Sequence, residues 1–186
     1  MKPDEKQKAA VHYGIAERGK MHSLEGNHKE ALRHYREALQ MTKRDGSSDV
    51  FFQHYTQCVM ESLERSGAHD EVISYCEKAR DFLEGQEVIT PHIKKSIATL
   101  MERQAVQHLY REEREDAVDL LKGVQQLVGR RSLPLSDDLL NWAQRGYQIN
   151  KQQIEGVQKR HKYFVVRKEN VNPAIAIDLP KAATPF

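Results

Sequence analysis

Nine histidines, two cysteines and several paired acids are the groups with which this chain could do chemistry. His54 and Cys58 stand four apart, on one face of a predicted helix, and Cys76 lies on the helix that follows. Together they offer three ligands of the kind zinc takes. Cys76 also falls at a position that calls for a small packing hydrophobe, and that role is the expected one. His28 and His34 are six apart and share no helix face. The HExxH, GxSxG, P-loop and Gly-rich dinucleotide patterns are all absent. The pairs Glu112-Glu113 and Asp137-Asp138 fall at predicted helix ends, where an acid near a helix start meets a favourable dipole. The expectation is a chain with no catalytic set, no metal, no cofactor and no small-molecule substrate.

Such residues are positioned by helices. Charged residues make up 30% of the 186 and the mean hydropathy is −0.74, which suits elongated helices with wide wet faces. Six prolines and ten glycines leave long uninterrupted stretches. Periodicity and stop signals predict seven helices. The first spans about 4–24 and stops at Gly26. Asn27, with Glu30 three residues on, has the spacing of a capping box for the second, about 28–43. Gly46 has the place of a left-handed terminator, and Ser47, Ser48 or Asp49 caps a third helix to about 66. The fourth covers about 69–83. Thr90-Pro91 starts the fifth, which runs to about 110, since proline at the first helical position gives up no needed N–H. The sixth covers about 114–128. Ser136 is the expected cap of a single seventh helix to 161, with Leu139, Leu140, Trp142, Ala143, Tyr147, Ile149 and Ile154 as its apolar stripe.

The two cysteines form no framework, so a reducing compartment is expected. The N-terminus has no apolar core of a secretory signal, and no run approaches the roughly 18 apolar residues of a membrane span. A cytoplasmic location follows as an expectation.

The helices repeat. The second, fourth and sixth each carry a small or β-branched residue, a larger group four on, and another small residue seven on: Ala31, Tyr35, Ala38; Val72, Cys76, Ala79; Ala117, Leu121, Val124. With Gly19, Leu24, Gly26, Leu32 and Leu39 the first copy resembles the tetratricopeptide repeat. The second copy, with Gly67, Val72, Tyr75, Cys76 and Ala79, has Met60 where the motif has a helical glycine. The third, with Ala105, Ala117, Leu121 and Val124, has Glu112 where it has the turn glycine. The spacings of 41 residues from Ala31 to Val72 and 45 from Val72 to Ala117 exceed the usual period of about 34, as in the long-helix variety. The resemblance covers roughly 4–129. It implies an all-α, right-handed superhelical array of antiparallel helix pairs, with repeats at about 4–44, 48–84 and 90–129. Residues 136–161 cap the array, making a helical domain over 1–162, and 163–186 form an extended or flexible tail. His22 and His108 take equivalent places in the first helices of their repeats and are expected to pack or to be partly exposed.

In that architecture the first helix of each repeat lines a concave face. The resemblance places Tyr13, Ala16, Glu17, Lys20 and Leu24 on it in the first repeat. It places His54, Gln57, Cys58, Glu61 and Arg65 there in the second, and Glu102, Arg103, Val106, Leu109 and Tyr110 in the third. The family's clamp for a terminal carboxylate is incomplete, because its asparagine positions hold Lys20 and Cys58 and only Arg103 fits. The expected ligand is a protein or peptide segment with apolar anchors and mixed charge, which makes the chain an adaptor or scaffold. The alternative is a dedicated chaperone or regulatory subunit for one client.

The approach to the tail is basic. Arg145, Lys151, Lys159, Arg160, Lys162, Arg167 and Lys168 face one acid, Glu155. With Phe164, this makes Lys159, Arg160, Lys162 and Arg167 candidate contacts for a partner. A lesser reading takes 145–168 as a binder of nucleic acid or anionic membrane. "NPAIAIDLP" alternates Ile175, Ile177 and Leu179, a pattern able to donate a strand or to dock on the protein itself. Self-association through the groove or the tail is a further reading.

Overall fold

A computed structural model describes residues 3–46 and 49–180. Among the described residues there are eight α-helices and no strand. They are α1 (Pro3–Leu24), α2 (His28–Asp45), α3 (Asp49–Arg65), α4 (His69–Glu84), α5 (Pro91–Tyr110), α6 (Arg114–Val128), α7 (Pro134–Gln144) and α8 (Lys151–Arg160). Consecutive helices pack as neighbours within two compact units. One is Met1–Ser66 with Val165–Phe186, and the other is Gly67–Phe164.

Local signals account for most boundaries. The Asn27 side chain accepts the Glu30 N–H at 3.4 Å, and Gly46 closes α2 with φ 62°. Glu30 turns its carboxylate to Arg33 at 2.8 Å. Thr90 accepts the Ile93 N–H at 3.2 Å and Pro91 opens α5. Candidate caps Ser47 and Ser48 lie outside the described residues.

The C-terminal part of the helical region differs from the expectation. In place of one helix over 136–161 there are two, α7 and α8. Gly146 takes φ 74°, and the Tyr147 N–H returns to the Trp142 carbonyl at 3.0 Å, which ends α7. Asn150 then starts α8 with a reciprocal capping box on Gln153. Those signals, a glycine followed by Asn-x-x-Gln, are present in the sequence and outweigh the continuous apolar stripe. Ser136 is not a cap either. Helix α7 starts at Pro134, and the buried Ser136 donates its N–H and hydroxyl to Glu102, at 3.0 and 2.6 Å.

The small residues act through close approach. In the first unit Ala31, Tyr35 and Ala38 of α2 are wholly buried. A Cβ on Gly19 would lie 2.7 Å from the Tyr35 ring, so the ring fits against α1 only because residue 19 has no side chain. In the second unit Val72 and Cys76 of α4 are buried, as are Ala117, Leu121 and Val124 of α6. Leu121 joins Ala105, Val106, Leu109, Leu135, Leu139, Leu140, Ile154 and Val157 in one core cluster, with Trp142 packed half-buried against it. Burying one such leucine contributes about 2 kcal/mol.

The turns between paired helices use one backbone conformation. Gly26 and Gly67 have φ 79° and 81°, and Glu112 takes φ 64° at the corresponding place before α6. Nothing lies within 4 Å of a Cβ built on Gly26, so the backbone angle alone selects glycine there. Glu112 adopts the same angle against its side chain's preference. Gly26→Ala is therefore expected to lower stability by about 1–2 kcal/mol and Glu112→Gly to raise it by up to about 1 kcal/mol, measured as denaturant midpoints.

Candidate functional site

The first unit gathers its polar groups on the face that α1 and α3 share. Glu17 and Lys20, three apart on α1, form a buried ion pair at 2.6 Å. Glu61 of α3 is wholly buried. These carboxylates require donors, because an unmatched charge in an apolar interior is costly.

The donors come from the tail. Glu61 accepts the consecutive backbone N–H groups of Val165 and Val166, at 2.5 and 3.0 Å. The second oxygen of Glu17 accepts the Asn172 N–H at 2.7 Å. Farther along, the Ile177 N–H donates to the Gly14 carbonyl at 2.9 Å and the Leu179 N–H to His34 Nε2 at 3.3 Å. Side chains of α1, α2 and α3 hold other tail groups. Arg18 donates to Asp178 at 2.7 Å, Arg33 to the Pro180 carbonyl at 2.9 Å and Arg65 to the Val166 carbonyl at 3.4 Å. A Cβ on Gly14 would meet the Ile175 carbonyl and the Ile177 side chain at 2.6 Å, so that glycine makes the seat for the tail. Val166 is wholly buried beside Ala31, Tyr35 and Cys58, and Leu179 packs on the cluster of Ile15, Ala16, Ala38 and Tyr55. Between these anchors the tail is extended apart from two short 3₁₀ turns, Lys168–Asn170 and Pro173–Ile175.

The other residues expected on this face are distributed as follows. Tyr13 is partly exposed, with its ring 6.3 Å from that of Phe51 and Lys20 Nζ 5.9 Å above it. Gln57 is half-buried. His54 lies 3.9 Å from the Cys58 sulfur, and burial first, then the Lys20 charge, holds its pKa below the usual value. Burial pushes the Cys58 thiol up to about 12, with Glu61 adding to the effect, so it stays a protonated, packed thiol. Cys76 is buried in the other unit.

In the second unit the expected groove residues are turned inward by α7, α8 and Tyr163. Arg103 is buried, 5.4 Å from the Tyr163 ring centroid, with Nε 3.4 Å from its hydroxyl. Val106 belongs to the core cluster, and the Tyr110 hydroxyl donates to Gln158 at 3.0 Å. Burial raises the Glu102 pKa against the opposing bonds from Ser136. Of the basic residues, Lys159 and Lys162 are exposed. Arg160 pairs with Asp138 at 3.2 Å and Arg167 with Glu169 at 2.9 Å, while Phe164 stands edge-on to Tyr163, ring centroids 4.9 Å apart. Three of the seven bases between 145 and 168 thus have acids beside them, counting Lys151 with Glu155.

No family model, no curated protein and no solved structure matches this chain. Its site therefore has to be read from its own geometry. Sequence reasoning missed Gly14, Arg18, Arg33 and His34, although the alternating "NPAIAIDLP" marks the segment they hold. The charge and polarity of Arg33 and His34 suit a solvent-facing side of α2. His34 is instead wholly buried, its Nδ1 2.8 Å from the Glu30 carbonyl, because the tail covers it.

Replacing Glu61 by Gln turns one acceptor into a donor that faces a tail N–H. Amide exchange at Val165 and Val166 is expected to accelerate about tenfold, the loss of one charge-assisted bond. His28 and His54 are both held below 6.5, chiefly by burial. The unfolded chain therefore takes up their protons first as pH falls. Their contribution to stability is complete above about 6.5 and declines below it. The thermal midpoint is expected to fall from pH 7.5 to 5.5, with a shallower slope in His54→Gln.

Proposed function

We propose that this chain is a non-enzymatic protein-interaction module whose α1/α3 face holds an extended peptide segment, and that residues 165–180 occupy the face in cis. The observation that carries this reading is Glu61 accepting two consecutive backbone N–H groups of the tail. Backbone amides are common to every peptide, so buried carboxylates aimed at them hold an extended chain with little regard to its sequence. Gly14 adds a backbone acceptor for Ile177, and Arg18 adds one selective contact by pairing with an acidic side chain. The preferred ligand has apolar residues at alternate positions with an acid among them, as in Ile175, Ile177, Asp178 and Leu179. A partner segment of that type competes with the tail. The small-residue spacing on α2, α4 and α6 and the close Gly19–Tyr35 contact support a tetratricopeptide-like origin for the face.

The test frees the face without altering it. Val166→Asp sets a carboxylate against Glu61 and expels the tail, and Ile177→Asp weakens it from the other end. In EDTA, each folded variant is expected to bind a labelled peptide spanning 163–180, whereas the parent chain binds it at least tenfold more weakly because its own tail competes. Adding Gly14→Val is expected to abolish binding. A folded variant with an exposed tail that takes up no peptide would overturn the reading.

A further inference from the structure

The tail does more than fill the face: it carries a carboxylate to two imidazoles. His22 lies in the last turn of α1 and His34 nearly two turns into α2, and their ring centroids are 5.0 Å apart. Asp178 Oδ1 lies 4.0 Å from His22 Nε2 and 3.9 Å from His34 Nε2. Glu30 offers a second carboxylate, with one ligand atom each from His22, Glu30 and His34 lying within 4.8 Å of one another. Both carboxylates feel both imidazoles electrostatically.

The ring of His34 is oriented as in a metal ligand. A histidine that binds a metal through Nε2 normally directs its Nδ1–H at a carbonyl or carboxylate, which fixes the tautomer. His34 Nδ1 stands 2.8 Å from the Glu30 carbonyl, leaving Nε2 with a lone pair that accepts the Leu179 N–H, with Asp178 Oδ1 3.9 Å away. His22 Nδ1 is buried and makes no hydrogen bond, and the Glu25 carboxylate is 3.7 Å away, within reach of a side-chain rotation. Both Nε2 atoms therefore stand about 4 Å from one Asp178 oxygen, and His34 Nδ1 has a carbonyl behind it.

From this arrangement we infer a site for a divalent transition metal of the zinc class, formed by His22, Glu30 and His34 and closed by Asp178, that fastens the tail to α1 and α2. Tetrahedral zinc with bonds of about 2.0–2.1 Å brings ligand atoms to about 3.3 Å from one another, so the imidazole–carboxylate edges close by a little over half an ångström. Asp178 can keep its bond to Arg18 while it binds the ion, because a carboxylate has about four lone-pair directions. The Leu179 N–H, now 3.3 Å from His34 Nε2, gives way to the metal. Another cluster, His108 with Glu113 and Asp116, has a single imidazole whose Nδ1 is already 2.6 Å from Glu113, and it serves as the control.

The experiment titrates the full chain with Co²⁺, read by visible absorption, and then with Zn²⁺, read by displacement of the cobalt and by calorimetry. One equivalent of each is expected to bind. His22→Gln and, at the 66% exposed Asp178, Asp178→Asn are each expected to weaken binding by on the order of tenfold or more. His108→Gln is expected to leave it unchanged. Zn²⁺ is also expected to slow amide exchange at Ile177, where the tail meets Gly14. Absence of saturable binding, or binding that survives both His22→Gln and Asp178→Asn, overturns the site. Neither result bears on peptide binding, which is measured in EDTA.

Discussion

Two acids, Glu17 and Glu61, are buried where α1 and α3 face each other, and their need for donors organises the first unit. Lys20 answers one oxygen of Glu17, and backbone N–H groups of the tail answer the other and both oxygens of Glu61. Removing the tail would take those donors from the charged oxygens and leave water to replace them. The chain's last described segment is thus bound to its first helices by electrostatics as well as by the burial of Val166 and Leu179. A face that holds its own tail through backbone amides is suited to hold another chain's segment in the same way, and this links the packing of the unit to the function proposed for it.

That face exists because small residues let helices approach. Gly19 receives the Tyr35 ring, and Gly14 receives the Ile175 carbonyl and the Ile177 side chain. The two glycines are five apart on α1 and act toward different partners, one internal to the helix pair and one on the tail. Their lack of a side chain, rather than backbone freedom, is what the packing uses. At the helix turns the reverse holds: Gly26 has open space around it, and its left-handed angle is the requirement, one that Glu112 meets without being glycine.

Much of the fold was legible from residue pattern. Asn27, Gly46 and Thr90-Pro91 mark helix ends because capping and left-handed termination are local events decided within a few residues. The buried triplets on α2 and α6 follow the three-and-four spacing of one helix face. The break at Gly146–Asn150 was equally local, yet the longer apolar stripe concealed it. The site was less legible. Glu17, Lys20 and Glu61 were placed on the shared face, but their charges suggested contact with solvent or a partner, whereas they are buried under the tail. In the second unit, α7 and α8 turn Val106 and Arg103 inward.

The sequence by itself determined an all-helical chain, the places where its helices start and stop, and the faces that must be buried, because these depend on neighbours within about two turns. Only the tertiary structure decided what covers those faces. Residues 165–180 meet α1 across some 150 positions of sequence, and nothing in local periodicity says which of several apolar faces an extended segment will choose. That choice rests on donors and acceptors finding one another in three dimensions: Glu61 with two amides, Gly14 with a third, Arg18 with Asp178, and two imidazoles with the same aspartate.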